Sequence, residues 1–598
     1  MLNSTAINSI LISVLLIFST VVCAQTQLEK NTSQPNIVLI LTDDQGWGDV
    51  AYNGNNLIDT PNIDGIAKKG ATFSRFYVNP VCAPTRASLL TGRYSLRTGV
   101  HNVTRGEEAM RAEEVTLAEV LADKGYATGA FGKWHNGAYF PNTPLGQGFD
   151  EFVGFNAGHW SEYFDTELEF NGVMKKTSGY ITDVLTDAAI DFIRKQKDKP
   201  FLAYIPYNAP HSPYQVPDTY FEKYKARGLN DRTASIYGMV ENIDTNIGRV
   251  LSELDRLGLS DNTIIVFLSD NGPHQSENVG GRRYNGGMRA GKGSVHEGGV
   301  RVPLYIHWPN HIEGGKVVQD IAQHIDLFPT LLNLTNVDVP QNLDIDGMDL
   351  TALLTSTKSQ LPSRMLYTHR WSMGEVVPSP GAVRTKQWLA TLEEGSWSLY
   401  DVVNDSEEQH NLATEYPAQL DKMSKAYFSW FEDVTSAGFD PIPADIGHKD
   451  YPVVMLEGAN AYLTGTGIGY AGGNGWAHSW VTNWIDPEAY MTWHINVVDA
   501  GAYSLSMRYA LNEDARGMIV RVEIGDQHID TKITKSHKRK ALPASDRAPR
   551  YSVFEQTWGT VDIGAINLAE GQDKVHIRIL SNSGKKEIEV KDLSISKL

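Results

Sequence analysis

Asn36-Ile-Val-Leu-Ile-Leu-Thr42-Asp43-Asp44 is the stretch on which the fold turns. Its apolar run shows no alternation with polar residues, so the strand it predicts is buried on both faces, as strands of helix-covered parallel sheets are. Similar runs recur at 201–207, 263–268 and 302–308, with helical periodicity between them at 181–197 and 234–257. Strand and helix alternating in this way predict an α/β fold with a mostly parallel sheet sandwiched by helices. Ligands of such sheets gather at the carboxyl ends of the strands. Two of the runs end there in polar, metal-competent pairs, Asp43-Asp44 and Asp270-Asn271.

Composition sets the outer limits. The chain has 598 residues, 41% of them hydrophobic, which is globular composition and too long for one core. A net charge of -18 repels polyanions, which argues against nucleic acid as a partner and requires local cations to hold any anionic ligand. Beyond the amino terminus no stretch reaches the roughly 20 apolar residues of a membrane span. The terminus itself, an apolar run from Ile10 to Val22 followed by Cys23-Ala24, reads as a signal peptide over 1–24. That predicts an exported protein, periplasmic or secreted, with lipid attachment at Cys23 as the alternative. The mature chain would keep one cysteine, Cys82, which is unusual in an oxidising compartment and points to chemistry or to an inert core thiol.

The chain turns Pro-rich and polar around 438–451, a candidate boundary. A first domain is expected over 25–440. Beyond it, 451–598 carries short alternating segments separated by Gly, Asn and Asp and reads as an antiparallel β-sandwich. Trp476, Trp480, Trp484, Trp493 and Trp558 could there stack on sugar rings or fill the sandwich core.

Cys82-Ala-Pro-Thr-Arg86 leads into a helix, with Pro84 suited to its first turn. The helix amino terminus and Arg86 predict an electropositive setting for Cys82. Extended through Thr91-Gly92, this segment resembles the signature of the formylglycine-dependent sulfatases, of arylsulfatase type within the alkaline phosphatase superfamily. Three further stretches are similar to that family: 125–135 with Lys133 and His135, 208–213 with His211, and 291–303 with Lys292. The resemblance covers residues 35 to about 435 and implies an alkaline-phosphatase-like fold, with 25–440 as the catalytic domain and a smaller subdomain at about 360–440 within it.

It also implies a sulfuric ester hydrolase in which Cys82 is converted to formylglycine by a formylglycine-generating enzyme, the hydrated aldehyde acting as nucleophile. Asp43, Asp44, Asp270, Asn271 and the modified Cys82 would hold one Ca²⁺. Three carboxylates and an amide oxygen form a hard site suited to Ca²⁺ or Mg²⁺ rather than zinc. Lys133, His211 and Lys292 would surround the sulfate, with Arg86 and His135 orienting the nucleophile. His159, Trp160, His274, Arg282, Arg283, His296 and His369 could line a substrate pocket or serve packing. Export and a carbohydrate-module-like appendage favour a sulfated glycan as substrate, ulvan or carrageenan first and glycosaminoglycan second. A phosphoesterase of the same superfamily and a non-catalytic sulfoglycan-binding protein are the alternatives.

Overall fold

The computed structural model describes residues 34–274, 283–356, 360–370, 374–581 and 586–598. The leader read at 1–24, with Cys23, and Arg282 lie outside the described residues. At the centre of a ten-stranded sheet run β1 (Asn36–Thr42), β2 (Ala127–Lys133), β3 (Phe201–Pro206) and β4 (Thr263–Ser269), adjacent in the order β4-β1-β3-β2 and all parallel. The reason β1 shows no alternation is visible in its packing. Ile37, Leu39 and Leu41 enter one apolar cluster while Val38 and Ile40 enter another on the opposite face. The first cluster receives Ala87, Leu89 and Leu90 of helix α1 (Cys82–Thr91). The second receives Leu185 and Ile193 of α2 (Ile181–Gln196) and Ile243 and Ile247 of α3 (Asp231–Arg256).

One strand departs from expectation. The run at 302–308 does not extend the parallel set: Leu304–His307 lies antiparallel to β4, and Arg301–Val302 leaves to pair with Phe76–Tyr77. An apolar run reports burial on two faces but not chain direction, which is set by how the preceding segment enters the sheet. Further on, a four-stranded antiparallel sheet (Leu366–His369, Gly381–Arg384, Trp388–Glu393, Ser396–Asp401) packs against helix α4 (Pro417–Thr435) through Val383, Leu399, Tyr427 and Trp430.

Residues after Val453 form two sheets whose pairings are antiparallel, joined by a parallel strand, Ala444–Ile446, from within the Pro-rich stretch. Their inner faces share one core, with Trp493, Val522 and Ile577 from one sheet and Leu505, Met507 and Val590 from the other. The tryptophans divide accordingly. Trp484 and Trp493 belong to this core, and Trp480 is buried against Trp558 with its Nε1 donating to Glu589 at 3.0 Å. Trp476 alone of the five is exposed, at 41%. Among the described residues no helix is long and apolar enough to cross a membrane.

Trp484 is fully buried and its indole N–H donates to Ala489 O at 3.2 Å. Trp484→Ala is expected to lower stability by about 3–5 kcal/mol in urea unfolding, through lost transfer energy and the cavity left behind. An unchanged midpoint would remove Trp484 from the core.

Candidate active site

Parallel pairing brings the acidic pairs together. The register Thr42↔Ser269 aligns the carboxyl ends of β1 and β4, so Asp43-Asp44 and Asp270-Asn271 leave the sheet side by side. Asp44 takes a left-handed backbone (φ 64), with its N–H donating to Asp270 Oδ1 at 3.2 Å and its Oδ1 accepting from Asn271 Nδ2 at 2.8 Å. Helix α1 starts at Cys82 against this edge. One donor atom each from Asp43, Cys82 and Asp270 lie within 4.8 Å of one another, as do atoms from Asp43, Asp44 and His211.

Cations close the cluster. Arg86 is completely enclosed, donating from Nε (3.1 Å) and Nη2 (2.8 Å) to Asp270 Oδ2 and from Nη1 to Lys133 O (2.6 Å). Lys133 Nζ lies 2.7 Å from Asp43 Oδ2, and Lys292 Nζ lies 2.6 Å from Asp44 Oδ1. Gly132, just before Lys133, has φ 148 and runs so close to β3 that a Cβ there would sit 2.0 Å from Pro206 O. That approach needs glycine.

Electrostatics sort these groups. Burial alone would raise all three carboxyls, but Lys133, His211 and Arg86 outweigh it at Asp43, and Lys292 and His211 at Asp44, so both stay below their usual range. At Asp270 burial and the neighbouring Asp43 exceed the pull of Arg86, and the carboxyl is pushed up to about 7. Burial opposes the charge of Lys292, yet Asp44 holds it above its ordinary value. The Cys82 thiol is raised by burial, with Asp43 and Asp270 adding to the shift against Lys133 and Lys292. Lys133 and Lys292 supply the electropositive setting expected for Cys82, but burial outweighs their pull on the thiol.

Hydrogen bonds fix which ring nitrogen of each histidine donates. Burial and Lys133 lower His135 well below its ordinary value, and burial and Lys292 lower His211. His135 Nε2 lies 2.9 Å from Val103 O, and since a carbonyl only accepts, Nε2 carries the proton. Its buried Nδ1 has no partner and presents a lone pair. In His211 the Nδ1–H donates to Ser212 O at 2.7 Å, which leaves Nε2 facing Asp44 Oδ2 at 3.8 Å.

The structure thus brings together Asp43, Asp44, Cys82, Arg86, Lys133, His211, Asp270, Asn271 and Lys292, with His135 in electrostatic reach of Lys133, Arg86 and Lys292. Of the looser candidates, the His159 ring lies 5.6 Å from the His211 ring, Trp160 stacks on Phe155, and His274 feels the charges of Asp44 and Lys292. Two others serve packing: His296 sits between Glu393 and Glu408, and His369 Nε2 donates to Val377 O at 2.8 Å. Arg283 does neither. It donates to Asp44 O at 2.8 Å and to Asp49 Oδ1 at 2.9 Å, while Asp49 Oδ2 accepts from Gly46 N at 2.6 Å, clamping the turn after the acidic pair. Asp49 was not singled out above, and nothing local links it to an arginine 234 positions away.

Oxygen donors in this cluster fit a hard divalent cation. Asp43 Oδ1 and Asn271 Oδ1 are buried without a hydrogen-bond partner, an arrangement that costs stability unless something takes their lone pairs.

Residues 35–337 match the sulfatase family model, and residues 290–427 match the model described as N-sulphoglucosamine sulphohydrolase, C-terminal. N-acetylgalactosamine-6-sulfatase of Mus musculus is 36% identical over 369 residues, covering 56% of this chain and 69% of that protein. Arylsulfatase A of Homo sapiens is 33% identical over 399 residues, covering 60% and 74%. Among solved structures, Ps i-CgsB in complex with k-i-k-neocarrahexaose is 34% identical, with a TM-score of 0.62, covering 69% of this chain and 95% of that one. A family model over more than half the chain, relatives of this identity and a shared fold agree on one assignment: the chain belongs to the sulfatase family, the sulfuric ester hydrolases.

Proposed function

We propose that this sulfatase is an exported enzyme that removes sulfate esters from a sulfated glycan or its oligosaccharides, the algal polysaccharides ulvan and carrageenan being the favoured class. It would work through formylglycine made from Cys82 and one Ca²⁺ held by Asp43, Asp44, Asp270, Asn271 and residue 82. The observation that carries this reading is the buried set of oxygen donors around Cys82, two of them without partners, ringed by Lys133, Lys292 and Arg86. Support for the substrate class comes from the 34% identical Ps i-CgsB, crystallised with a neocarrahexaose. The apolar run from Ile10 to Val22 supports export.

Burial supports conversion before folding. Cys82 is 3% exposed and Arg86 fully enclosed, so a formylglycine-generating enzyme could read this segment only in the unfolded chain. The aldehyde would supply the nucleophile, and the ion would draw charge from the sulfate oxygens. The chain's own residues do the rest. Lys133 and Lys292 bind the anion in a protein whose overall charge repels it. Lys292, held charged by Asp44, is a proton donor at Nζ for the departing alcohol, with His211 Nε2 beside it. His135 Nδ1 is positioned to accept a proton, and Arg86 fixes the Asp270 carboxylate against the start of α1.

Sulfate release from sulfated polysaccharides and oligosaccharides, read by ion chromatography with Cys82→Ser as blank, tests this directly. Release from an algal class and none from the variant is expected. No release from any glycan, with Cys82 shown by peptide mass spectrometry to be converted, would overturn the glycan reading.

Calcium binding should depend on pH. Burial and Asp43 push the Asp270 carboxyl up to about 7 in the metal-free protein, against 3.8 for an unperturbed aspartate, so folded protein keeps a proton that the unfolded chain has lost. Metal-free stability therefore falls as pH rises between those values, and Ca²⁺, which takes the ionised form, reverses the loss. By calorimetry, Ca²⁺ affinity is expected to rise roughly tenfold per pH unit up to about pH 7 and then level. A flat profile would remove Asp270 from the ligand set.

A further inference from the structure

Two loops of the C-terminal β-domain touch segments that flank the catalytic cluster. The first, residues 474–479, touches both segments that back the site histidines. On one side Thr104 Oγ1 donates to Gly475 O and Arg105 Nε donates to Asn474 O at 3.1 Å, next to Val103, whose carbonyl holds His135. On the other side His478 Nε2 donates to His159 O at 3.1 Å, and its ring meets Trp160 edge-on with centroids 4.8 Å apart. His159 in turn packs beside His211. Behind His478, Glu555 lies 3.2 Å from Nδ1 and Lys591 Nζ donates to its carbonyl at 2.9 Å, so this left-handed residue (φ 65) is held from its own domain.

The second loop, residues 546–551, docks past His274. Gln215 Nε2 donates to Asp546 Oδ1 at 2.9 Å, Arg547 N donates to Tyr214 O at 2.9 Å, and Ala548 is buried in the same apolar cluster as α2 and α3. Arg550, its side chain fully enclosed, pairs with Asp546 at 2.6 Å and faces Glu162 at 3.5 Å. The Tyr551 ring stands 5.3 Å from that of His274, and its hydroxyl accepts from Arg232 Nη1 at 2.8 Å. Charged and apolar groups of the β-domain are thus buried against the catalytic part. Such a contact fixes the placement of the domain, which a flexible tether would not.

Each loop carries one solvent-exposed aromatic ring, and the Arg232 guanidinium covers one side of the Tyr551 ring, 5.2 Å from its centroid. Trp476 is 41% exposed and Tyr551 50%, and every other described tryptophan is more enclosed. A solvent-exposed ring suits the apolar face of a sugar. A net charge of -18 also gives no long-range attraction for a polyanionic chain, whereas contact through ring faces does not depend on that charge. We propose that the C-terminal β-domain walls the substrate cleft and that Trp476 and Tyr551 stack on the pyranose rings flanking the sugar whose sulfate is removed. This rests on the glycan reading above.

The test compares kinetics on a sulfated carra-oligosaccharide and on p-nitrophenyl sulfate for the full-length matured enzyme, Trp476→Ala, Tyr551→Ala and Trp476→Tyr, with melting temperatures recorded. Either alanine variant is expected to raise KM for the oligosaccharide roughly tenfold while kcat holds, so that the ratio of its kcat/KM to that for the aryl sulfate falls roughly tenfold. Trp476→Tyr, which keeps a ring, should recover most of the loss. An unchanged oligosaccharide KM in both alanine variants, or an equal loss on both substrates, would overturn the proposal while leaving the glycan reading intact. A wild-type enzyme that turns over the aryl sulfate but no sulfated oligosaccharide would overturn both.

Discussion

Three carboxylates and three cations share one buried space at the carboxyl ends of β1 and β4, and the position of each depends on the others. Removing ions from water costs several kcal/mol apiece unless geometry returns it. Here it is returned by pairs that tie separate elements together. Arg86 joins α1 to β4 through Asp270, Lys133 joins β2 to β1 through Asp43, and Lys292 joins the segment before Arg301 to the end of β1 through Asp44. The parallel sheet supplies the frame on which these pairs meet, because only strands running the same way deliver their ends to one edge.

That cluster is also incomplete as a protein structure alone. Asp270 sits high because Arg86 cannot offset both burial and Asp43, and one carboxylate oxygen of Asp43 and the amide oxygen of Asn271 are buried without partners. A site built this way is preorganised for charge that arrives with a ligand, and it spends stability to be so. The clamp of Arg283 on Asp49 and on the Asp44 carbonyl is part of the same device, since it keeps the left-handed turn at Asp44 from relaxing.

The β-domain adds contacts to the catalytic part from beyond the matched family models. The matched family models end at residue 427, yet loops beyond residue 470 touch the segments that hold His135, His159 and His274. A cleft shared between a family scaffold and a further domain lets the scaffold carry the reaction while the added loops meet the rest of the substrate.

What the sequence determined by itself is local. The unalternating run 36–42 and its acidic end, the segment at Cys82–Arg86, and the neighbourhoods of Lys133, His211 and Lys292 each stand out through adjacent residues, so sheet type and the members of the candidate site were legible from them. Three features were not. The run at 302–308 looked like another parallel strand, but its residues 304–307 run antiparallel to β4, because burial is written in composition and direction is not. Five tryptophans looked alike, and only packing separated the core residues Trp484 and Trp493 from the exposed Trp476. The acidity of Cys82 and Asp270 and the partnership of Arg283 with Asp49 were decided by tertiary structure, because Coulomb forces and desolvation act between groups that only the folded chain brings into contact.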